Sequence, residues 1–195
     1  MKTKISLIPI DRNGNPRGYA GALPEVISEV FRALAELYKT VGFEEPWIGY
    51  LALANETPVS TCSFKSPPRD GRVEIAYFTF PEFEGHGFAS AMAARLVAMA
   101  RQHRSATVVA AQTLPQRNAS HRVLEKLGFR HIDTPTPPRA GSYVALTLIA
   151  RAWAFATLGN VSVKTPCRRS APMPSWSIRS PSSNCRKKLT NLYSW

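Results

Sequence analysis

A chain of 195 residues with 44% hydrophobic content is long enough to bury one core, so a single globular domain is the first expectation. Three scattered cysteines, Cys62, Cys167 and Cys185, form neither an even set nor a ligand spacing. They argue against a disulfide framework and a zinc site and for a reducing, cytoplasmic setting. No secretory leader is evident, and the longest apolar run, residues 143–155, contains Arg151 and is too short to span a bilayer, so no membrane partner is expected.

The net charge of +12 is unevenly spread. Residues 1–133 carry 16 basic and 13 acidic side chains, a net of +3, whereas residues 134–195 carry 9 basic and none acidic. The basicity therefore belongs to the end of the chain. It bears on solubility and non-specific binding, not on fold.

In chain order, residues 4–10 predict a strand and residues 11–18 are turn chemistry throughout. Pro24 suits a first helical position. Ile27, Phe31, Leu34 and Tyr38 then line one face of a helix reaching Lys39, with Gly42 as its stop. Residues 47–54 and 59–64 predict two strands around an Asn55-Glu56-Thr57 turn, and residues 66–71 turn into a third, giving an antiparallel meander. In that third strand Val73, Ile75, Tyr77 and Thr79 alternate with Glu74, Ala76, Phe78 and Phe80 until Pro81. After Gly85 and Gly87, Met92, Leu96, Val97 and Ala100 fall at helical spacing. Residues 107–114 predict a buried strand parallel to the central one, residues 119–127 a helix ending at Gly128, and residues 129–132 a further strand. Residues 142–150 can supply the last strand. The fold class is mixed α/β, with a mainly antiparallel sheet.

The turn at residues 84–90 carries the chemistry. A helix that starts after a glycine turn aims unpaired N–H groups, and the positive end of its dipole, at one point. That arrangement suits an anion, phosphate above all, and glycine lets the anion reach the main chain. The same two glycines would also serve an ordinary tight strand-to-helix connection.

Glu84-Gly85-His86-Gly87-Phe88-Ala89 resembles the Gln/Arg-x-x-Gly-x-Gly/Ala signature of the GNAT N-acetyltransferases, with Glu84 where Gln or Arg is usual. Asn118-Ala119-Ser120-His121-Arg122-Val123-Leu124-Glu125-Lys126-Leu127-Gly128-Phe129 is similar to the family's second signature, Asn118 standing one residue closer to Ser120 than usual. That form is typical of the branch resembling ribosomal-protein N-terminal acetyltransferases. The resemblance covers residues 4–132. It implies a GNAT-like sheet whose central parallel pair is splayed by a β-bulge, with acetyl-CoA as co-substrate, an amine as acceptor and no metal. It also implies that Glu84, Gly85, His86, Gly87, Phe88, Ala89 and Ser90 wrap the diphosphate, that main-chain groups near Phe78 and Thr79 hold pantetheine, and that Asn118 contributes to the same site.

Acetyl transfer to an amine requires a base for the nitrogen proton, a polarised carbonyl and a proton for the thiolate. Glu74, a carboxylate in an apolar strand, is the candidate base, since desolvation would raise its pKa. Alternatively it is structural, bonded to Arg72 or to a neighbouring main-chain group, with ordered water acting as base. The family's usual tyrosine acid falls at Leu124. Ser120 is the nearest replacement, or else the N-cap of its helix.

Residues 1–150 are thus expected to form a GNAT-like domain, as a monomer or homodimer. Residues 151–195, rich in Ser, Pro and Arg, are expected to be a disordered or non-native tail. The alternatives are a CoA-binding module without catalysis, or a protein that contacts RNA or the ribosome weakly through that tail.

Overall fold

A computed structural model describes residues 4–103, 108–113, 117–132 and 146–151. In chain order these form β1 (Ser6–Pro9), α1 (Glu25–Val41), β2 (Gly49–Ala54), β3 (Thr57–Phe64), β4 (Arg72–Thr79), α2 (Phe88–His103), β5 (Val108–Thr113), α3 (Ala119–Lys126), β6 (Arg130–Ile132) and β7 (Leu146–Arg151). The seven strands make one sheet in the order β1-β2-β3-β4-β5-β7-β6. Only β4 and β5 run parallel; the other neighbours are antiparallel. This is the mixed α/β architecture expected, with β7 inserted between β5 and β6. The expectation of a disordered or non-native tail over residues 151–195 lies outside the described residues except at Arg151, which ends β7.

Local chemistry explains where the boundaries fall. Asn55 and Glu56 both take positive φ, 48° and 65°, the left-handed pair that suits a two-residue hairpin, so Thr57 joins β3 rather than the turn. Pro24 stands just before the first helical residue instead of at it, and Gly42 caps the other end of α1 through its N–H to the Tyr38 carbonyl. Gly128 takes φ 76° immediately past α3, the C′ role read from the sequence.

Directly paired strand residues share a face of the sheet, and successive residues alternate between faces. One face presents Gly49, Leu51, Ser63, Thr61, Glu74 and Phe78, and α1 lies against it. The Gly49 N–H donates to the Tyr38 hydroxyl at 2.8 Å, and a Cβ at Gly49 would stand 2.6 Å from Leu34 Cδ1. Leu34 is itself buried, and its displaced methyl must be taken up by the packed core around it. Gly49→Ala is therefore expected to cost about 1–3 kcal/mol through overpacking, measured by urea denaturation.

The other face presents Tyr50, Cys62, Phe64, Val73, Ile75 and Tyr77. Phe64 is fully buried beneath Trp47, ring centroids 5.0 Å apart and edge to face, and His103 at the end of α2 packs on the same tryptophan. Helix α2 buries Met92, Leu96, Val97 and Ala100 and packs beside α3. The site forms where these two helices meet the parallel strands.

Candidate active site

The chain leaves β4 through a single 3-10 turn, Pro81–Phe83, and enters α2 at Phe88. Gly85 and Gly87 take φ of 82° and 83°, where a Cβ is strained, and residues 84–87 are exposed. The Glu84 N–H is used locally, donating to the Pro81 carbonyl, so Glu84 closes the turn. The amides of Gly85, Gly87, Phe88, Ala89 and Ser90 have no partner among the described residues, and the first helical bond runs from Ala91 N–H to the Gly87 carbonyl. Five unpartnered donors thus cluster at the positive end of a 16-residue helix, in an exposed loop and the partly exposed first turn. The Phe83 and Phe88 rings meet edge to face at 6.2 Å and tie the two ends of the loop together. The His86 Nδ1–H donates to the Glu84 carbonyl at 2.9 Å, and the ring stacks on Phe88.

Beside this loop the sheet parts. The ladder between β4 and β5 runs from Arg72–Val108 to Ile75–Ala111 and forms no further pair among the described residues, although β4 continues to Thr79 and β5 to Thr113. Meanwhile β4 stays in continuous register with β3 from Ile75–Phe64 to Thr79–Ser60. The splay therefore needs no bulge in that ladder, and in this respect the family-based expectation is corrected.

Main-chain groups alternate between the two edges of a strand. The Phe80 N–H donates to Val59, and the Phe78 carbonyl accepts from the Ser60 hydroxyl at 2.7 Å. Phe78 thus spends its main chain on β3, while Tyr77 and Thr79 turn theirs toward the gap. Of the two residues expected there, Thr79 faces it and Phe78 does not.

The two candidate catalytic residues lie on opposite faces. Glu74 shares the α1 face, where Lys65 Nζ stands 2.7 Å from Oε1, with side chains 17% and 19% exposed. That ammonium is the partner of an oxygen that meets no other polar group. Gln112 Nε2 donates to Oε2 at 3.3 Å. The neighbour of Glu74 is thus Lys65, from the facing strand, and not Arg72.

Ser120 lies on the other face, in the first turn of α3. Asn118, not Ser120, is the N-cap: its Oδ1 accepts from Ser120 N–H at 2.9 Å and His121 N–H at 3.3 Å, and its side chain meets Thr113 Oγ1 of β5. This capping leaves the Ser120 hydroxyl available. Beside Ser120 is the Tyr77 hydroxyl, buried and without a formed hydrogen bond. Burial pushes its pKa up to about 12, and the Ser120 side chain, a close polar neighbour at less than bonding geometry, draws it back slightly. The sequence marked Tyr77 only as one member of an alternating strand. The signal was that an inward tyrosine needs a partner for its hydroxyl.

Residues 19–130, more than half of the chain, match the family model of the acetyltransferase (GNAT) domain. The chain belongs to the GNAT acetyltransferase family. No curated protein matches its sequence. Among solved GNAT-fold structures it is similar to yncA from Salmonella typhimurium, solved with acetyl-CoA, at 18% identity and TM-score 0.52, over 78% of this chain and 96% of that one. It is also similar to the spermidine/spermine N-acetyltransferase SpeG from Vibrio cholerae, at 14% identity and TM-score 0.53, over 75% of this chain and 94% of that one. A Vibrio cholerae protein provisionally named a ribosomal-protein-serine acetyltransferase matches at 10% identity and TM-score 0.56, over 77% and 95% of the two chains. At these identities the likeness speaks for the fold. Within this GNAT domain no helix of the described residues is long and apolar enough to cross a membrane, and no group of three metal-ligating side chains occurs among them.

Proposed function

We propose that this GNAT domain is an acetyl-CoA-dependent N-acetyltransferase of a primary amine, either a protein N-terminus or a small-molecule amine. The observation that carries the reading is the conjunction of a parted parallel strand pair with a loop of five unpartnered amides beside it. Unpartnered donors and two positive-φ glycines fit a diphosphate, and acetyl-CoA, when bound, supplies the activated acetyl group. Amides of Gly85, Gly87, Phe88, Ala89 and Ser90 would hold the diphosphate, with His86 at the rim. Main-chain groups of Tyr77 and Thr79 would orient the pantetheine arm.

Proton movement divides between the faces. Glu74, held by Lys65 and Gln112, receives the nitrogen proton through water from the α1 side. On the α3 side Ser120 stands where a departing sulfur needs a donor. Glu74→Gln is expected to lower turnover roughly 100-fold while leaving acetyl-CoA affinity unchanged, as measured by steady-state kinetics and calorimetry. Turnover within about threefold of wild type would return Glu74 to a structural role.

The two acceptor classes rest on different likenesses. The second signature supports a ribosomal-protein N-terminal acetyltransferase-like enzyme, and a polyamine acceptor is the competing class, SpeG being named for spermidine and spermine. The test is release of free CoA thiol from acetyl-CoA over a panel of seryl and other N-terminal peptides, polyamines and amino acids. Release with one class supports the enzyme and names its acceptor. Binding of acetyl-CoA with no release across the panel supports a second reading, a CoA-binding module without catalysis. Two observations favour that reading: Leu124, an apolar buried residue, replaces the usual acid, and Lys65 already occupies the Glu74 carboxylate.

A further inference from the structure

Acetyl transfer needs something to stabilise the sulfur as it departs, and on α3 only the Ser120 hydroxyl is placed to help. Leu124, one turn past Ser120, is apolar and buried. Opposite it the structure holds a group that no local interaction explains. The Tyr77 hydroxyl is buried with no formed hydrogen bond, although an orphaned buried hydroxyl costs roughly 1–3 kcal/mol. Such a group calls for an explanation, and a partner that arrives from outside is one.

Position narrows that partner. Tyr77 is two residues beyond Ile75, the last residue of β4 laddered to β5, and lies on the same face. Its tip comes up to Ser120 of α3. Helix α3 is tied to the far wall of the gap, since Asn118 at its start bonds Thr113 of β5. A side chain rooted on one wall, two residues past the end of the β4–β5 ladder, therefore reaches an element fastened to the other wall.

We propose that the Tyr77 hydroxyl donates a hydrogen bond to the sulfur of coenzyme A as the acetyl group leaves, with Ser120 beside it as a second donor. This rests on the acetyl-CoA reading above. In the balanced step nitrogen forms its bond to the acetyl carbon, the carbon–sulfur bond breaks and its electron pair passes to sulfur. The nitrogen proton goes through Glu74 and water to solvent. Sulfur leaves as a thiolate held by the Tyr77 O–H and takes its proton from solvent on release. Burial suits Tyr77 to this task, because a phenol held protonated is a donor at neutral pH. A hydrogen bond to an ionised acceptor is about twice as strong as one between neutral groups, so the donor acts most where charge develops.

The test reads the sulfur directly and needs no acceptor. The thiol of CoA bound to the full chain is titrated by its thiolate ultraviolet absorbance. The S-methyl-CoA complex serves as the blank, removing the contributions of the protein's own three cysteines, among them Cys62, the buried thiol of β3 paired with Tyr77, and of His121, the buried imidazole one residue past Ser120. Wild type is expected to bind CoA with its thiol pKa lowered. Tyr77→Phe is expected to raise that pKa by about one unit, a tenfold loss of thiolate, with CoA affinity at low pH unchanged. Because phenylalanine deletes only an orphaned hydroxyl, the thermal midpoint of the variant should equal or exceed that of wild type.

If Tyr77→Phe titrates like wild type while Ser120→Ala shifts, Ser120 is the donor and the proposal falls. A lowered thermal midpoint would show the hydroxyl bonded within the protein and would likewise overturn it. Wild type that binds no CoA removes the acetyl-CoA reading and this proposal together. Binding without a Tyr77-dependent shift removes the proposal alone.

Discussion

Gly87→Glu is expected to raise the dissociation constant for acetyl-CoA more than about 100-fold in titration calorimetry, while circular dichroism shows the fold retained. Two effects add. Gly87 holds φ 83°, where a side chain costs of order 1–3 kcal/mol of strain, paid in the loop conformation that presents the amides. The new carboxylate would also stand at the start of α2, among the donors proposed for the diphosphate, where a second negative charge repels the first. Gly87 is exposed, so the added bulk meets solvent instead of the core and the fold should survive. Gly87→Ala separates the terms: it keeps the strain and lacks the charge, and an intermediate loss is expected. Unchanged affinity in the glutamate variant would place the diphosphate somewhere else.

Phe64→Ala is expected to carry the largest stability loss, about 3–5 kcal/mol in urea denaturation. That is a large share of the 5–15 kcal/mol typical of a domain. Phe64 is fully buried, meets Trp47 edge to face, and pairs directly with Ile75. Ile75 is also the last residue of β4 laddered to β5, so this ring supports the strand at the point where the gap opens. The variant should therefore also weaken acetyl-CoA binding at temperatures where it is still folded. A loss below about 1 kcal/mol would mean that the core repacks around the missing ring and that the site does not lean on it.

Most of the architecture could be read from local patterns. Period-two alternation in residues 72–79 and helical spacing from Met92 to Ala100 each have one structural solution, and β4 and α2 fall there. Gly42, Gly85, Gly87 and Gly128 marked turns and helix ends, and all four take positive φ. What escaped was the set of properties that depend on pairing. Nothing along the chain says that β7 inserts between β5 and β6, because strand order is decided by contacts distant in sequence.

The same limit applies to the site. Lys65 and Glu74 are nine positions apart, and only the β3–β4 register brings them face to face. The main chain of Phe78 belongs to β3 and that of Tyr77 to the gap. A shift of one residue in register would exchange them, and the sequence does not state the register. Tyr77 and Ser120 meet across a helix–strand contact with no sequence proximity at all. The loop of residues 84–90 was legible because its chemistry is local: two glycines and a helix start are enough to predict free amides.

The central claim concerns those amides, and backbone amide NMR of the uniformly nitrogen-15-labelled chain, titrated with acetyl-CoA, tests it most directly. The N–H resonances of Gly85, Gly87, Phe88, Ala89 and Ser90 should move downfield together and saturate at one dissociation constant, as hydrogen bonds to an anion form. Saturable binding that leaves those five resonances in place would contradict the account.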